Sequence, residues 1–189
     1  MTSRNLSPKG ARRREEILEA AMRSIGEQGY RSTSLRGIGR MLDVQPAQIL
    51  HYFASREELL ETVIRRWDER SERVVAERAR GDETFLDVWP DINREHTLVP
   101  GFVNLYTSLA AEATDPDHPS HVFFRERFRR IRRLVAVDLA NRGLGPGVDV
   151  GRAALHLVAF SDGLQLQWLI DRSIDLGDEL TFEIARLFR

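Results

Sequence analysis

Gln45-Pro46-Ala47-Gln48 is the stretch whose side chains suit the reading of DNA bases. A glutamine amide can bond adenine N6 and N7 together, and small apolar groups such as proline and alanine can touch the thymine methyl. In a helix-turn-helix such groups reach base edges from the first turn of a helix lying in the major groove. Two residues of the same segment, His51 and Tyr52, and two just upstream, Thr33 and Arg36, add polar and cationic groups beside them. Arg56 stands at the start of a further helix, where a cation opposes the macrodipole. It is useful there if a phosphate sits before the helix N-terminus, itself an anion site. Arg12-Arg13-Arg14, at a helix start, follows an arm that can track a phosphate backbone.

Other constellations carry less. His118 and His121, beside Asp115 and Asp117, have a spacing that could hold a metal. A loop-to-helix junction with Pro119 in the first turn accounts for them more simply, and no metal or other cofactor is expected. Ser161, Asp162 and His156 are the residue types of a hydrolytic triad, but no nucleophile elbow surrounds the serine, so an enzyme is not expected. There is no cysteine, which removes disulfides, thiol nucleophiles and thiolate zinc sites. Phe102, Tyr106, Phe124, Phe128, His156, Phe160 and Trp168 form an aromatic supply with polar handles, the lining expected around a small organic ligand.

The elements that must position these groups are helical throughout. No run alternates with period two, while 3.6-residue spacing recurs along the whole chain. Ile17, Ala21 and Ile25 define a first helix ended by Gly29. Thr33 or Ser34 can cap a short second helix carrying Leu35, Ile38 and Leu42. Pro46 suits the first turn of a third, with Ile49 and Phe53 inward. Ser55 and Glu58 read as the capping box of a fourth helix that runs through Trp67 to about residue 78. Five more segments follow, near 83–95 (with Pro90 expected to kink or divide it), 98–114, 119–142, 149–172 and 178–188. The expected fold is all-α with about nine helices, a helix-turn-helix head over residues 1–56 and a helical ligand-binding and dimerisation body over 57–189. Gly163, with Leu166 and Ile170 on the same helix, is the expected dimer contact, since a glycine inside a helix costs about 1 kcal/mol and so calls for a packing reason.

Charge follows the same division. The chain of 189 residues has a formal net charge of −1. Residues 1–56 hold ten basic and five acidic side chains, +5, and residues 57–189 hold eighteen basic and twenty-four acidic ones, −6. A basic head that meets a polyanion is the natural inference. Lys9 is the one lysine among the 28 basic residues, an arginine bias that runs through the whole chain and so does not mark a site. No segment is apolar enough to span a bilayer and the N-terminus lacks a signal-peptide core, so a soluble cytoplasmic protein with no membrane partner is expected.

Arg14-Glu15-Glu16-Ile17-Leu18-Glu19-Ala20-Ala21, Gln28-Gly29-Tyr30, Thr33-Ser34-Leu35, Ile38-Gly39, Val44 through Phe53, and Ser55-Arg56-Glu57-Glu58-Leu59-Leu60 together resemble the DNA-binding domain of TetR-type regulators. The resemblance is continuous over about residues 12–62. Ala111 through Pro119 and Asp162 through Asp171 are similar to a ligand domain common in actinobacterial regulators. Three substitutions depart from the usual pattern: Asp43 for the turn glycine, Gln45 for the Ser or Thr cap, and Leu50 for a recognition-helix tyrosine that Tyr52 can replace. Arg56 keeps the charge of the usual lysine. The resemblance implies a homodimeric, ligand-responsive regulator, most often a repressor, bound to a palindromic DNA operator and released by a small organic effector. The rival from another class is an all-helical small-molecule-binding enzyme or adaptor without DNA binding. The split of charge favours the regulator.

Overall fold

The computed structural model describes residues 7–30, 32–144 and 147–188. Among them the chain forms nine α-helices and one short 3₁₀ turn. They are α1 (Pro8–Gln28), α2 (Leu35–Leu42), α3 (Pro46–Tyr52), α4 (Arg56–Arg78), α5 (Phe85–Thr97), α6 (Pro100–Glu112), α7 (His121–Arg142), α8 (Val150–Ile170) and α9 (Leu176–Arg186). The 3₁₀ turn, Ala79–Gly81, follows α4 directly.

The first three helices make the head. Ser7 caps α1 by accepting from Gly10 N, and Pro8 occupies the first turn, where its missing N–H would have no partner anyway. The helix therefore starts earlier than expected, and Arg12, Arg13 and Arg14 lie within it. Any arm in residues 1–6 falls outside the described residues. Ser34, not Thr33, caps α2. Asp43 ends α2 in the left-handed region at φ 53°, the conformation the missing glycine would have supplied. Gly39 makes the turn possible, since a Cβ there would stand 2.5 Å from the Val44 carbonyl oxygen. Ile49 and Phe53 then pin α3 onto the head's core with no exposed surface.

Ser55 Oγ accepts from Glu58 N at 3.0 Å to start α4, while the Glu58 carboxylate accepts from Ala54 N. Leu59, Leu60, Val63 and Ile64 of α4 are buried with Ile17, Leu18, Ile25, Ile38 and Phe53 of the head. The same cluster continues into Phe102, Leu105, Tyr106 and Leu109 of α6, so one hydrophobic core runs from head to body. A second cluster joins α5, α7, α8 and α9, and a third centres on Val103, Leu164, Trp168 and Leu176. Pro90 does not divide its segment; α5 is one continuous helix through it. Asp138 of α7 is buried and accepts from Leu86 N at 2.8 Å, satisfying a donor at the start of α5.

Candidate nucleic-acid interface and buried cavity

On α3, Gln45, Ala47, Gln48 and His51 are exposed and Pro46 and Tyr52 half-buried, opposite the inward Ile49 and Phe53. A seven-residue helix is thus held by two apolar anchors while its first turn faces outward. Gln48 Oε1 accepts from Gln45 N at 3.0 Å, which steadies that turn. One flank of α3 is a groove lined by Ser34, Arg36, Arg40 and Asp43, and the other is lined by Lys9, Arg12 and Arg13 beside His51 and Tyr52. Cations therefore stand on both sides of one projecting helix, the arrangement that lets a duplex be gripped by its two phosphate backbones around a helix in the groove.

Two expected contacts are displaced from this face. Thr33 is only 3% exposed, and its hydroxyl donates to the Gly29 carbonyl at 3.0 Å and pairs with Ser24 at 3.1 Å. It closes the α1–α2 loop and cannot reach DNA. Arg56 does not wait before the α4 N-terminus. Its guanidinium lies 5.1 Å from the Tyr30 ring centroid, donates to the Thr33 carbonyl and sits 4.0 Å from Glu57. Tyr30 in turn donates its hydroxyl to Glu112 of α6, so Arg56 belongs to the joint between head and body. Within the arginine triplet, Arg13 pairs with Glu16 and the Leu42 carbonyl and Arg14 covers the Phe53 ring, while Arg12, 3.7 Å from Glu16, is the most exposed of the three.

The body holds a partly open cavity of about 50 Å³ between α5, α6, α7 and α8. Of the seven residues named as a ligand lining, Phe102, Tyr106 and Phe128 border it. The other expected residues do not. His156 is exposed on the outer face of α8, because the inward positions of that helix are Ala153, Ala154, Leu157 and Val158. Phe124 packs behind Tyr106, 5.9 Å between centroids. Phe160 fills the seam between two core clusters, and Trp168 belongs to the third cluster with Arg172 stacked 3.8 Å over its ring.

Sequence reasoning missed Trp89, Asn93 and His96 of α5, Arg127 of α7 and Ser161, Asp162 and Gln165 of α8, all in the cavity wall. A signal existed: polar residues at helical spacing interrupt the apolar faces of α5 and α8, and a buried polar group needs a partner. Partners are present for most. Tyr106 donates to Asp162 Oδ1 at 2.7 Å, Ser161 to Asn93 Oδ1 at 3.4 Å, and Asn93 to the Trp89 carbonyl at 2.9 Å. Arg127 gives both Nε and Nη2 to Asp68 of α4, at 3.0 and 2.8 Å, and stacks over the Tyr106 ring. His96 Nδ1 is buried with no hydrogen-bond partner. Burial, reinforced by the positive charge of Arg127, pulls the His96 pKa down to about 4, so the ring is neutral at pH 7. Burial pushes the Asp162 carboxyl up, opposed by the Tyr106 hydrogen bond and Arg127. Trp67 of α4 stacks on Phe102 at 4.3 Å and meets His96 edge-on at 5.7 Å, so α4 reaches from the head to the back of the cavity wall.

His118 and His121 are tied to local structure: His118 Nδ1 accepts from Ser120 N, and His121 Nδ1 lies 2.9 Å from the Ala113 carbonyl. Among the described residues, no group of three or more metal-ligating side chains forms and no helix is long and apolar enough to cross a membrane.

The profile of bacterial regulatory proteins of the tetR family matches residues 17–63, the span from α1 to the second turn of α4. The chain is 30% identical over 159 residues to the HTH-type transcriptional regulator BetI of Rhizobium meliloti, covering 82% of this chain and 77% of that protein. It belongs to the TetR family. That membership makes it a DNA-binding transcriptional regulator and not an enzyme. A second TetR relative is the HTH-type transcriptional repressor KstR2 of Mycobacterium tuberculosis, 24% identical over 71% of this chain and 68% of its own length. In three dimensions the chain is similar to a transcriptional regulator from Saccharomonospora viridis solved in complex with choline, with a TM-score of 0.72 and 22% identity over 93% of this chain and 95% of that one. This likeness concerns the fold.

Proposed function

We propose that this TetR-family chain is a cytoplasmic, homodimeric repressor that sits on a palindromic operator and leaves it when a small organic molecule enters the α5–α8 cavity. The observation that carries the reading is the outward first turn of α3 with cations on both flanks. Gln45, Pro46, Ala47 and Gln48 read bases from there, with His51 and Tyr52 one turn on, and Arg36, Arg40, Lys9 and Arg12 hold phosphates. The head is residues 1–56 and the body residues 57–189. A second copy covers α8 and α9, where Leu166 is 54%, Ile170 84% and Phe182 56% exposed in one protomer. Such a row is unusual on a free surface. Gly163 supports the same interface, because a Cβ there meets nothing within 4 Å of its own protomer.

A TetR dimer of this kind presents two recognition helices about 34–36 Å apart, one turn of duplex. The cavity, at about 50 Å³, has room for no more than a few waters. An organic effector must therefore part its walls, and two of them, Phe102 and His96, press on Trp67 of α4. Movement there reaches the helix that begins at the head, which alters the separation of the two α3 helices and lowers operator affinity.

The test is selection of an operator from random duplexes, followed by titrations with wild type and Gln45→Ala. The selected sequence is expected to be palindromic, and the variant is expected to lose about 1–3 kcal/mol of discrimination with little loss on random DNA. No enrichment, or equal losses on both duplexes, overturns the base-reading assignment.

A further inference from the structure

The cavity wall holds one cation, Arg127, and one anion, Asp162, and their hydrogen-bond partners differ in charge. Arg127, the cation in the wall, is already answered: Asp68 takes two of its donors, and its face is closed by the Tyr106 ring. Asp68 is itself shared with Arg130 at 2.6 Å. Asp162 has no such partner among the described residues. Its one donor is the neutral phenol of Tyr106, and it forms no ion pair. The rest of the wall combines ring surface from Trp89, Phe102, Tyr106 and Phe128 with aliphatic side chains and with uncharged polar groups, among them the neutral His96 with its unpartnered Nδ1. Aromatic faces carry negative potential and attract cations, most strongly where water is excluded.

We propose that the cavity takes a small organic cation, a quaternary or protonated amine whose charge faces Asp162 between the rings and whose single polar group meets His96 Nδ1. The inference rests on the reading of the cavity as the effector site and adds the chemical class of the effector. An organic anion fits less well, because Arg127 would have to give up Asp68 and the anion would meet Asp162.

The test is isothermal calorimetry on the full chain without DNA. Choline and tetramethylammonium are compared with 3,3-dimethyl-1-butanol, the uncharged carbon isostere of choline, and with anionic 3,3-dimethylbutyrate. Choline is expected to bind about tenfold or more tighter than its isostere. Asp162→Asn, which keeps an acceptor for Tyr106, is expected to erase that preference, whereas Tyr106→Phe is expected to retain it. Heat from the isostere equal to that from choline, preference for the anion, or absence of binding by both cations at millimolar concentration overturns the proposal. Operator titration with and without choline separates the two readings. Cations that bind without releasing DNA leave the site standing and remove the regulatory role. Release by uncharged compounds alone does the reverse.

Discussion

Gly101→Ala tests the contact that fastens the head to the body. Gly101 is the second residue of α6, and a Cβ built on it would lie 2.0 Å from the Ile25 carbonyl oxygen, 2.9 Å from Ile25 C and 3.5 Å from Gly26 Cα. That oxygen belongs to the last turn of α1 and accepts from Gly29 N, so it cannot rotate away. Carbon and carbonyl oxygen settle at about 3.3–3.6 Å, and one methyl therefore forces α1 and α6 apart by more than about 1 Å. Overpacking of this kind costs about 1–3 kcal/mol of stability. The α3 face is untouched, so binding to random DNA should remain while the fit of two heads to two half-sites is lost. We expect operator affinity to fall about tenfold or more, equivalent to about 1.4 kcal/mol, without ligand present. Fluorescence anisotropy on operator and random duplexes, with thermal melts alongside, measures both effects. Gly26→Ala is the control, since its Cβ would meet only Val99 at an ordinary 3.8 Å. A Gly101→Ala protein with unchanged melting and unchanged operator affinity would show that the α1–α6 contact is soft, and the argument from close approach would fail.

Three further outcomes are expected. His96 is neutral in the fold with its pKa lowered to about 4, so its contribution is fully present above the unfolded value near 6.5 and is lost as pH falls towards 4. Urea melts at pH 7 and 4.5 should show an acid loss of up to about 3 kcal/mol that His96→Gln removes, and an equal loss in both proteins would sink the assignment. Asp162, raised by burial, acts in the opposite sense, but it is common to both proteins. Gly163→Leu should dissociate the dimer in sedimentation without harming the protomer, because its side chain meets nothing at home and leucine favours the helix by about 1 kcal/mol. An intact dimer would place the interface elsewhere. Trp67→Phe should keep the stack on Phe102 and the effector's influence on operator affinity, whereas Trp67→Ala should reduce that influence, worth about 1–3 kcal/mol in such systems. A well-folded Trp67→Ala protein with the full response would take α4 out of the coupling route.

What the sequence determined by itself was the local structure and which side chains of α3 face outward. Period, caps and breakers are short-range signals: Ser34, Ser55, Pro46 and the left-handed Asp43 act within four residues of themselves, so their helices could be placed from the chain alone. Gln45, Ala47 and Gln48 face outward because Ile49 and Phe53, a few residues away, face inward. Only the tertiary structure decided which residues meet across helices. His156 carries the same aromatic label as Tyr106, yet the rotation of α8 about its axis turns it outward while Asp162 is brought to Tyr106, 56 residues distant in sequence. Arg56 looked like a phosphate ligand from its place before two glutamates, and a ring on the loop after α1 turned it back. Thr33 was withdrawn by a partner in α1. A helix fixes the order of side chains along its own axis, but its azimuth is set by packing against every neighbour at once, and that information is spread over the whole chain.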